Sequence, residues 1–570
     1  MLQSTNDARA LLSGSAAAVH ASREGRMVDY AEMEAKRAQM DNEIAALELS
    51  IQHYQRGSAS MQRLWKAVDD EVKRMEEEIT YLRSSAAKVW NIIIFQPLTH
   101  NIRSFYTQHF QMRDLIAEAK AQAAEKAFVT SIDERDILDL ASLYHDNKPC
   151  QVFQPSKQGS YNVCFFVQFA APSTGGSPDR CVVRIPIPEQ IPWIDEKIDV
   201  EVATMKYVAA NTTIPVPKVR AHSSAANSPI KMAFIIMDYI GGKSLKELGF
   251  MEDLDVWCSV TPQLTRAREK MYEGLAKVFC QLRQLEFPEI GALGLSTGYG
   301  GLGVRVRHRP LCIEILLQQR EGLEPTSRFS KHRTFRTSKE YVDALLWLGD
   351  NLLNKGKNSM VQIRHERVLY ASHYFRRFVE ESWLDPSQDS GPFVLAHGDL
   401  GTQNILWDDD YNLVAVLDWE WSSVVPLQFL VPPPWLNGQS IDSLCHGQKL
   451  YNSQVSILCD IVRDQEKALG LGCSPPLSDE WARRKDWCHT LVVCGLLRPE
   501  YVFDIYWSFI IYIVLGFQPP LTPKQIKEYK EVTSLQVSLF MDHNERKEFL
   551  SRKMEEQREY LEEEDAYWSK

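Results

Sequence analysis

Closely spaced cysteines are missing from this chain. The eleven cysteines are scattered through 570 residues, no two stand in a C-x-x-C pair, and the odd number leaves no complete disulfide framework. That pattern excludes a zinc cluster of ordinary spacing and suits reduced, mostly buried thiols. A basic block is missing too. Lys and Arg number 64 against 75 Asp and Glu, for a net charge of −11, so nucleic-acid binding is not expected. The most apolar run, Ile505–Phe517, has 13 residues. A bilayer span needs about 20, so the run reads as a buried core helix and no membrane association is expected. No continuous apolar stretch of a secretory signal opens the chain. Arg9, with Asp7 as the one early acid, keeps a mitochondrial presequence as the alternative to a cytoplasmic location. Glycine and proline are modest at 28 and 27, and 44% hydrophobic with 24% charged residues are globular values. Collagen and wholesale disorder are thereby excluded. The length suits three to five domains, or a two-lobed enzyme with additions.

Residues 1–21 read as disordered. A helical, coiled-coil-like arm is expected over 22–130. Tyr30, Met33, Met40, Ile44, Leu47, Ile51 and Tyr54 recur on three- and four-residue steps. The stretch Arg56–Ser60 breaks the pattern, which resumes from Met61 and runs to Ile93 before Pro97 ends it. Such a seam specifies burial. It leaves open a fold-back hairpin packed on the body, pairing into a homo-oligomer, or a protein partner. A third helix is expected over Asn101–Lys126.

From about Ile137 the texture changes. Short β-rich runs appear at Cys150–Phe153, Cys164–Phe169, Cys181–Ile185 and Ala233–Tyr239, with a helical stretch, Val200–Ala210, between the last two. Turn material at Ala171–Asp179 and Ala221–Pro229 separates them. A small sheet with one helix is expected over 135–240. Residues 241–540 read as mainly helical, with β-like pieces at Phe393–Leu395, Ile405–Trp407 and Leu413–Leu417. Arg320–Ser338 reads as a loop. Residues 541–570 hold a charged helix, Asn544–Tyr567, whose acids read as a solvated or packing face.

The chemistry concentrates in Val394–Glu420, VLAHGDLGTQNILWDDDYNLVAVLDWE. Asp399 and Asn404 share one tight loop. Asp418 closes a second apolar run, and a hairpin can bring it beside Asn404. Asp408–Asp410 then reads as the solvated hairpin turn. An amide oxygen plus a carboxylate suits a hard cation such as Mg²⁺, which keeps phosphates and waters in its other positions. A nearby second carboxylate can orient a hydroxyl, so these are the parts that phosphoryl transfer requires.

This segment resembles the H-G-D-x-x-x-x-N and later D-W motif of the aminoglycoside phosphotransferase and choline-kinase-like family, in its fungal-type branch. Protein kinases show H-R-D and D-F-G instead, so Gly398 and Trp419 point to small-molecule kinases. The resemblance extends over about 135–540. It implies an α+β, bilobal, protein-kinase-like fold carrying the N-terminal helical extension, with nucleotide held mainly by the small lobe. Lys157–Asn162 resembles the family's phosphate loop, which implies that Gly159 and Ser160 meet phosphate. Arg184 stands where the family usually has Lys, a swap that is not neutral, and Glu201 matches the glutamate that orients it. Met237, Asp238 and Tyr239 match the strand and hinge that bind adenine through backbone groups. The resemblance further implies ATP and Mg²⁺ as cofactors, Asp399 as catalytic positioner and base, and Asn404 and Asp418 as metal ligands. His397 is expected to shape the loop through backbone bonds. Glu420 and Trp421 are expected near the acceptor, with Trp421 chiefly packing; Trp419–Trp421 and Pro432–Trp435 match the D-W-E and P-P-W-type segments of the fungal branch. The expected function is phosphorylation of a hydroxyl on a small molecule. The alternative is a weak or inactive scaffold that works through its helical arm, motivated by Arg184.

Overall fold

The computed structural model describes residues 112–171, 177–249, 262–298, 301–360, 365–436, 438, 441–445, 448–484, 489–514 and 541–569. The heptad pattern of the arm therefore lies outside the described residues, as does the first half of its third helix. That helix is seen as α1, Leu115–Ser131, capped at Asp114, whose side chain accepts from the Ala117 amide at 2.9 Å. A short α2 follows at Glu134–Leu143.

The small lobe is built on five antiparallel strands. They are β1 (Cys150–Gln158), β2 (Asn162–Phe169), β3 (Arg180–Pro186), β4 (Val219–Ser223) and β5 (Phe234–Asp238), in the order β1-β2-β3-β5-β4. Helix α3, Ile194–Asn211, lies between β3 and β4 in sequence. Strand β4 falls partly within the expected turn at Ala221–Pro229. Its alternation is hidden because all five of its residues are only partly buried.

The period-two rule sorts the sheet's two faces. Val163, Val167, Val183, Ile185 and Ile236 pack with Ile137 and Leu140 of α2 in one apolar cluster. Alternate residues present the other face. Cys164, Arg184 and Ile235 lie side by side across three strands, next to a row made by Phe166, Val182 and Met237. Val183 and Ile185 thus seal the lobe while Arg184, between them, faces the opposite way.

The larger lobe is mainly helical, as expected. It contains α4 (Pro262–Gln284), α5 (Ile313–Arg320), α6 (Ser338–Lys355), α7 (His365–Phe378), α8 (Gln448–Ala468), α9 (Leu477–Arg484) and α10 (His489–Leu497). The apolar run at 505–514 is helical, and Ile505, Tyr506, Ile510 and Ile511 are buried. The charged tail is α11, His543–Trp568; its Tyr560 hydroxyl accepts from the Leu115 amide of α1 at 2.7 Å. Arg320–Ser338 is largely irregular, with one short 3₁₀ turn at Pro325–Ser327.

Five further strands carry the central loops. Strand β9, Phe393–Ala396, pairs on one side with the two-residue β6, Glu286–Phe287, and on the other with β12, Ser423–Pro426. Between β9 and β12 comes the expected hairpin, β10 (Ile405–Trp407) against β11 (Leu413–Val416). A second hairpin, β7 (Ala292–Gly298) with β8 (Gly301–His308), was not legible in the sequence, because five glycines between Ala292 and His308 dilute its alternation. It docks on α3: His308 Nε2 lies 2.7 Å from Asp199 Oδ2, and just beyond the hairpin Arg309 forms a buried two-pronged bond to Glu196.

Candidate active site

The loop that carries Asp399 follows β9 because two close approaches fold it there. Gly398 has φ +78° and lies against the backbone of Trp421. His397, buried, places Nε2 2.8 Å from the Leu417 carbonyl oxygen, and its own carbonyl accepts from the Ser422 hydroxyl at 3.1 Å. Burial lowers the His397 pKa to about 4, so the ring is neutral and joins the two loops. This is the loop-shaping geometry expected of it. The indole of Trp435, in the proline-rich segment, donates to the Leu400 carbonyl at 2.6 Å.

The β10–β11 hairpin brings Asn404 and Asp418 together. The Leu417 amide donates to the Asn404 carbonyl at 2.8 Å. Asn404 Nδ2 donates to the Asp399 carbonyl at 2.8 Å and to Asp399 Oδ2 at 3.1 Å, so its amide nitrogen is spent on Asp399. Asp418 has φ +63°, a strained conformation that turns the chain sharply before Trp419. At the turn of this hairpin Asp408 accepts from the Asp410 and Asn412 amides at 2.9 Å, the solvated turn expected.

From the small lobe, Arg184 enters the same cleft. Nη1 bonds Glu201 of α3, while Nη2 lies 2.6 Å from Asp418 Oδ1 and 2.5 Å from Glu420 Oε2. Burial would lower the Arg184 pKa, but Asp418, Glu201 and Glu420 outweigh it and keep the guanidinium charged. Burial likewise works to raise the Asp418 pKa, yet Arg184 and Lys197 hold it below the ordinary carboxylate range. Asp399 goes the other way. Burial first, then the charges of Asp418 and Glu420, push it up to about 6.

Gly159 and Ser160 form the exposed turn between β1 and β2, and the Gly159 amide donates to the Asn162 carbonyl at 2.9 Å. The turn places Tyr161 inward, its ring 5.1 Å from that of Trp421 and edge-on to it. Met237 is buried on the cleft face. At the expected hinge, the Asp238 amide is taken by the Lys218 carbonyl at 3.0 Å and the Tyr239 amide by the Arg180 carbonyl at 3.3 Å. The Asp238 carboxylate pairs with Arg220 at 2.6 Å. Both amides are thus engaged in the sheet, which leaves carbonyl oxygens rather than these two donors for a ligand.

Two placements differ from what the residue pattern suggested. Glu420 does not line an open pocket; it is 1% exposed and bonded to Arg184, Lys197 and Asn162. Lys197 carried no motif at all. The signal was its place four residues before Glu201, on the same face of α3. Trp421 does pack, against Ile191, Leu311 and Leu316.

Residues 165–429 match the family model described as phosphotransferase enzyme family. A curated fungal protein, clavilactone A biosynthesis cluster protein Y of Ampulloclitocybe clavipes, is 26% identical over 248 residues, covering 43% of this chain and 54% of that protein. The chain thus spans about half the length of that relative. Among solved structures, macrolide 2'-phosphotransferase type I aligns at 13% identity and TM-score 0.35 over 72% of this chain and 99% of its own. An aminoglycoside phosphotransferase, APH(4)-Ia, aligns at 12% identity and TM-score 0.33 over 65% and 95%. The matched span holds Arg184, Glu201, Asp399, Asn404 and Asp418.

Proposed function

We propose that this protein is an ATP- and Mg²⁺-dependent phosphotransferase acting on a hydroxyl of a small molecule. The observation that carries the reading is the pairing of Arg184 with Asp418 across the cleft, beside Asp399 and Asn404. One face of the small-lobe sheet supports nucleotide binding. Phe166, Val182 and Met237 offer an apolar row, and Arg184 stands two residues along β3, about 7 Å away. A base suits the first and phosphates the second. The exposed Gly159–Ser160 turn lies at the end of β1 and suits the phosphates as well.

The donor set fits a hard divalent cation. Asn404 spends its amide nitrogen on Asp399, which leaves the oxygen as its remaining donor, and Asp418 is held ionised. When bound there, Mg²⁺ supplies charge neutralisation to the phosphates. Asp399 orients the acceptor hydroxyl and takes its proton as the oxygen–phosphorus bond forms and the terminal phosphoryl leaves ADP. A pKa of about 6 leaves Asp399 ionised at neutral pH yet basic enough for that proton. Glu201 orients Arg184, and His397 holds the two loops in register.

The test is Mg·ATP turnover by the purified protein and by Asp399→Asn across pools of amines, sugars and polyols. Transfer to one pool, lost in the variant, supports the reading; equal transfer by both proteins overturns it. A scaffold reading is favoured by one feature, the engagement of Arg184 by three carboxylates. Nucleotide binding with no transfer to any pool would favour it.

A further inference from the structure

Lys197 is buried to 1% exposure, and its ammonium meets the equally buried carboxylate of Glu420. Its other polar neighbour is Asn162 Oδ1 at 3.4 Å, and Asn162 Nδ2 in turn donates to Glu420 Oε2 at 2.8 Å. One carboxylate thereby joins three elements: Asn162, the first residue of β2 and the last of the expected phosphate loop, the first turn of α3, and the segment that follows Asp418. Arg184 reaches the same oxygen from β3. Two cations, Arg184 and Lys197, therefore face three carboxylates, Glu201, Asp418 and Glu420. Charges this deep are tolerated only when paired and hydrogen-bonded.

The balance bears on Arg184. Its two terminal nitrogens already serve three carboxylates. Without Lys197, the Glu420 charge would fall on Arg184 alone and draw it from the phosphates. We propose that Lys197 and Glu420 are a positioning pair: Lys197 neutralises Glu420, which leaves Arg184 available to the nucleotide and fixes α3 against the segment carrying Asp418. Neither residue touches substrate. The other flank of α3 is tied independently, through Glu196 to Arg309 and Asp199 to His308. The helix therefore stays on the body when the pair is altered, and the effect should fall on the cleft.

This inference rests on the nucleotide-binding reading above, and its test separates the two. Mg·ATP affinity and the split of KM for ATP against kcat are measured for the full chain, Lys197→Met, and Lys197→Met/Glu420→Gln. Lys197→Met strands a buried carboxylate beside Arg184 and is expected to weaken Mg·ATP binding about tenfold or more. The double variant removes both charges and is expected to recover to within about threefold, since a buried pair replaced as a pair is well tolerated. A residue that only fills space would show no such rescue. Should Lys197→Met fail to fold, the double variant decides alone: folded with recovered affinity supports the pair. A double variant that does not fold, or folds without recovering, overturns it. If the unaltered protein binds no Mg·ATP, the nucleotide reading fails. The pairing is then judged by thermal stability, where rescue in the double variant still supports it and its absence overturns it.

Discussion

Gly398→Ala is the sharpest perturbation this centre offers. Gly398 has φ +78°, and a Cβ added there would lie 2.0 Å from the Trp421 carbonyl oxygen and 2.7 Å from its carbonyl carbon. The obstacle is backbone, so no rotamer change relieves it. The two segments are also held together on both sides. Ser422 bonds the His397 carbonyl, and Ser423 pairs with Ala396 in the β9–β12 ladder. The left-handed backbone costs a non-glycine residue about 1–2 kcal/mol. Parting the segments forfeits one or two hydrogen bonds at about 0.5–1.5 kcal/mol each. A loss of roughly 2–5 kcal/mol is therefore expected, readable as an earlier unfolding midpoint in urea. Asp418 stands three residues before Trp421, so a shift there also moves the proposed metal ligand. A misplacement of about 1 Å can cost 100-fold in rate. Gly398→Ala should thus fall in both stability and turnover. Unchanged urea midpoint and unchanged activity would refute the steric account, and with it the reason this loop carries glycine where protein kinases carry arginine.

Asp399→Asn should lose about 10²–10⁴-fold in phosphate transfer while Mg·ATP affinity stays within about threefold, measured by turnover and calorimetry. The parent protein's kcat/KM should climb with pH up to about 6 and level off above, because the raised Asp399 carboxyl is an active base only once ionised. The same limb surviving in Asp399→Asn would assign it to another group. His397 titrates at about 4 against an ordinary 6.5, so the unfolded chain binds its proton first and the fold loses about 3 kcal/mol as pH falls through that window. Urea titrations of His397→Gln should show a shallower loss between those pH values. Arg184→Lys replaces a two-pronged head by a single ammonium that cannot bridge Glu201, Asp418 and Glu420. Nucleotide binding about tenfold weaker is expected by calorimetry; tighter binding would mean that arginine impairs the site.

The parts legible in the sequence were those whose chemistry is local. Asp399 and Asn404 share the loop just before β10 and Asp418 just follows β11, so the tight turn between these two short strands nearly dictates their meeting, and β10 pairs with β11 as the apolar runs require. The β-rich run around Arg184 was equally readable, because its alternation separates Val183 and Ile185 from the charged residue between them. What escaped depends on contacts between distant segments. Lys197 and Glu420 are 223 residues apart, as are no two residues of the motif, and each alone looks like an ordinary surface charge. Only the fold turns both inward. The same holds for Arg113, which pairs with Glu314 and Glu500 beneath the start of α1. Pattern reading assigns charged residues to solvent because unpaired burial is costly. It fails where two costly burials cancel, and around this cleft such cancellation is the rule. Hence the residues that position the centre were harder to read than those proposed to do its chemistry: a metal ligand is constrained by its reagent and leaves a motif, whereas a positioning pair is constrained only by its partner.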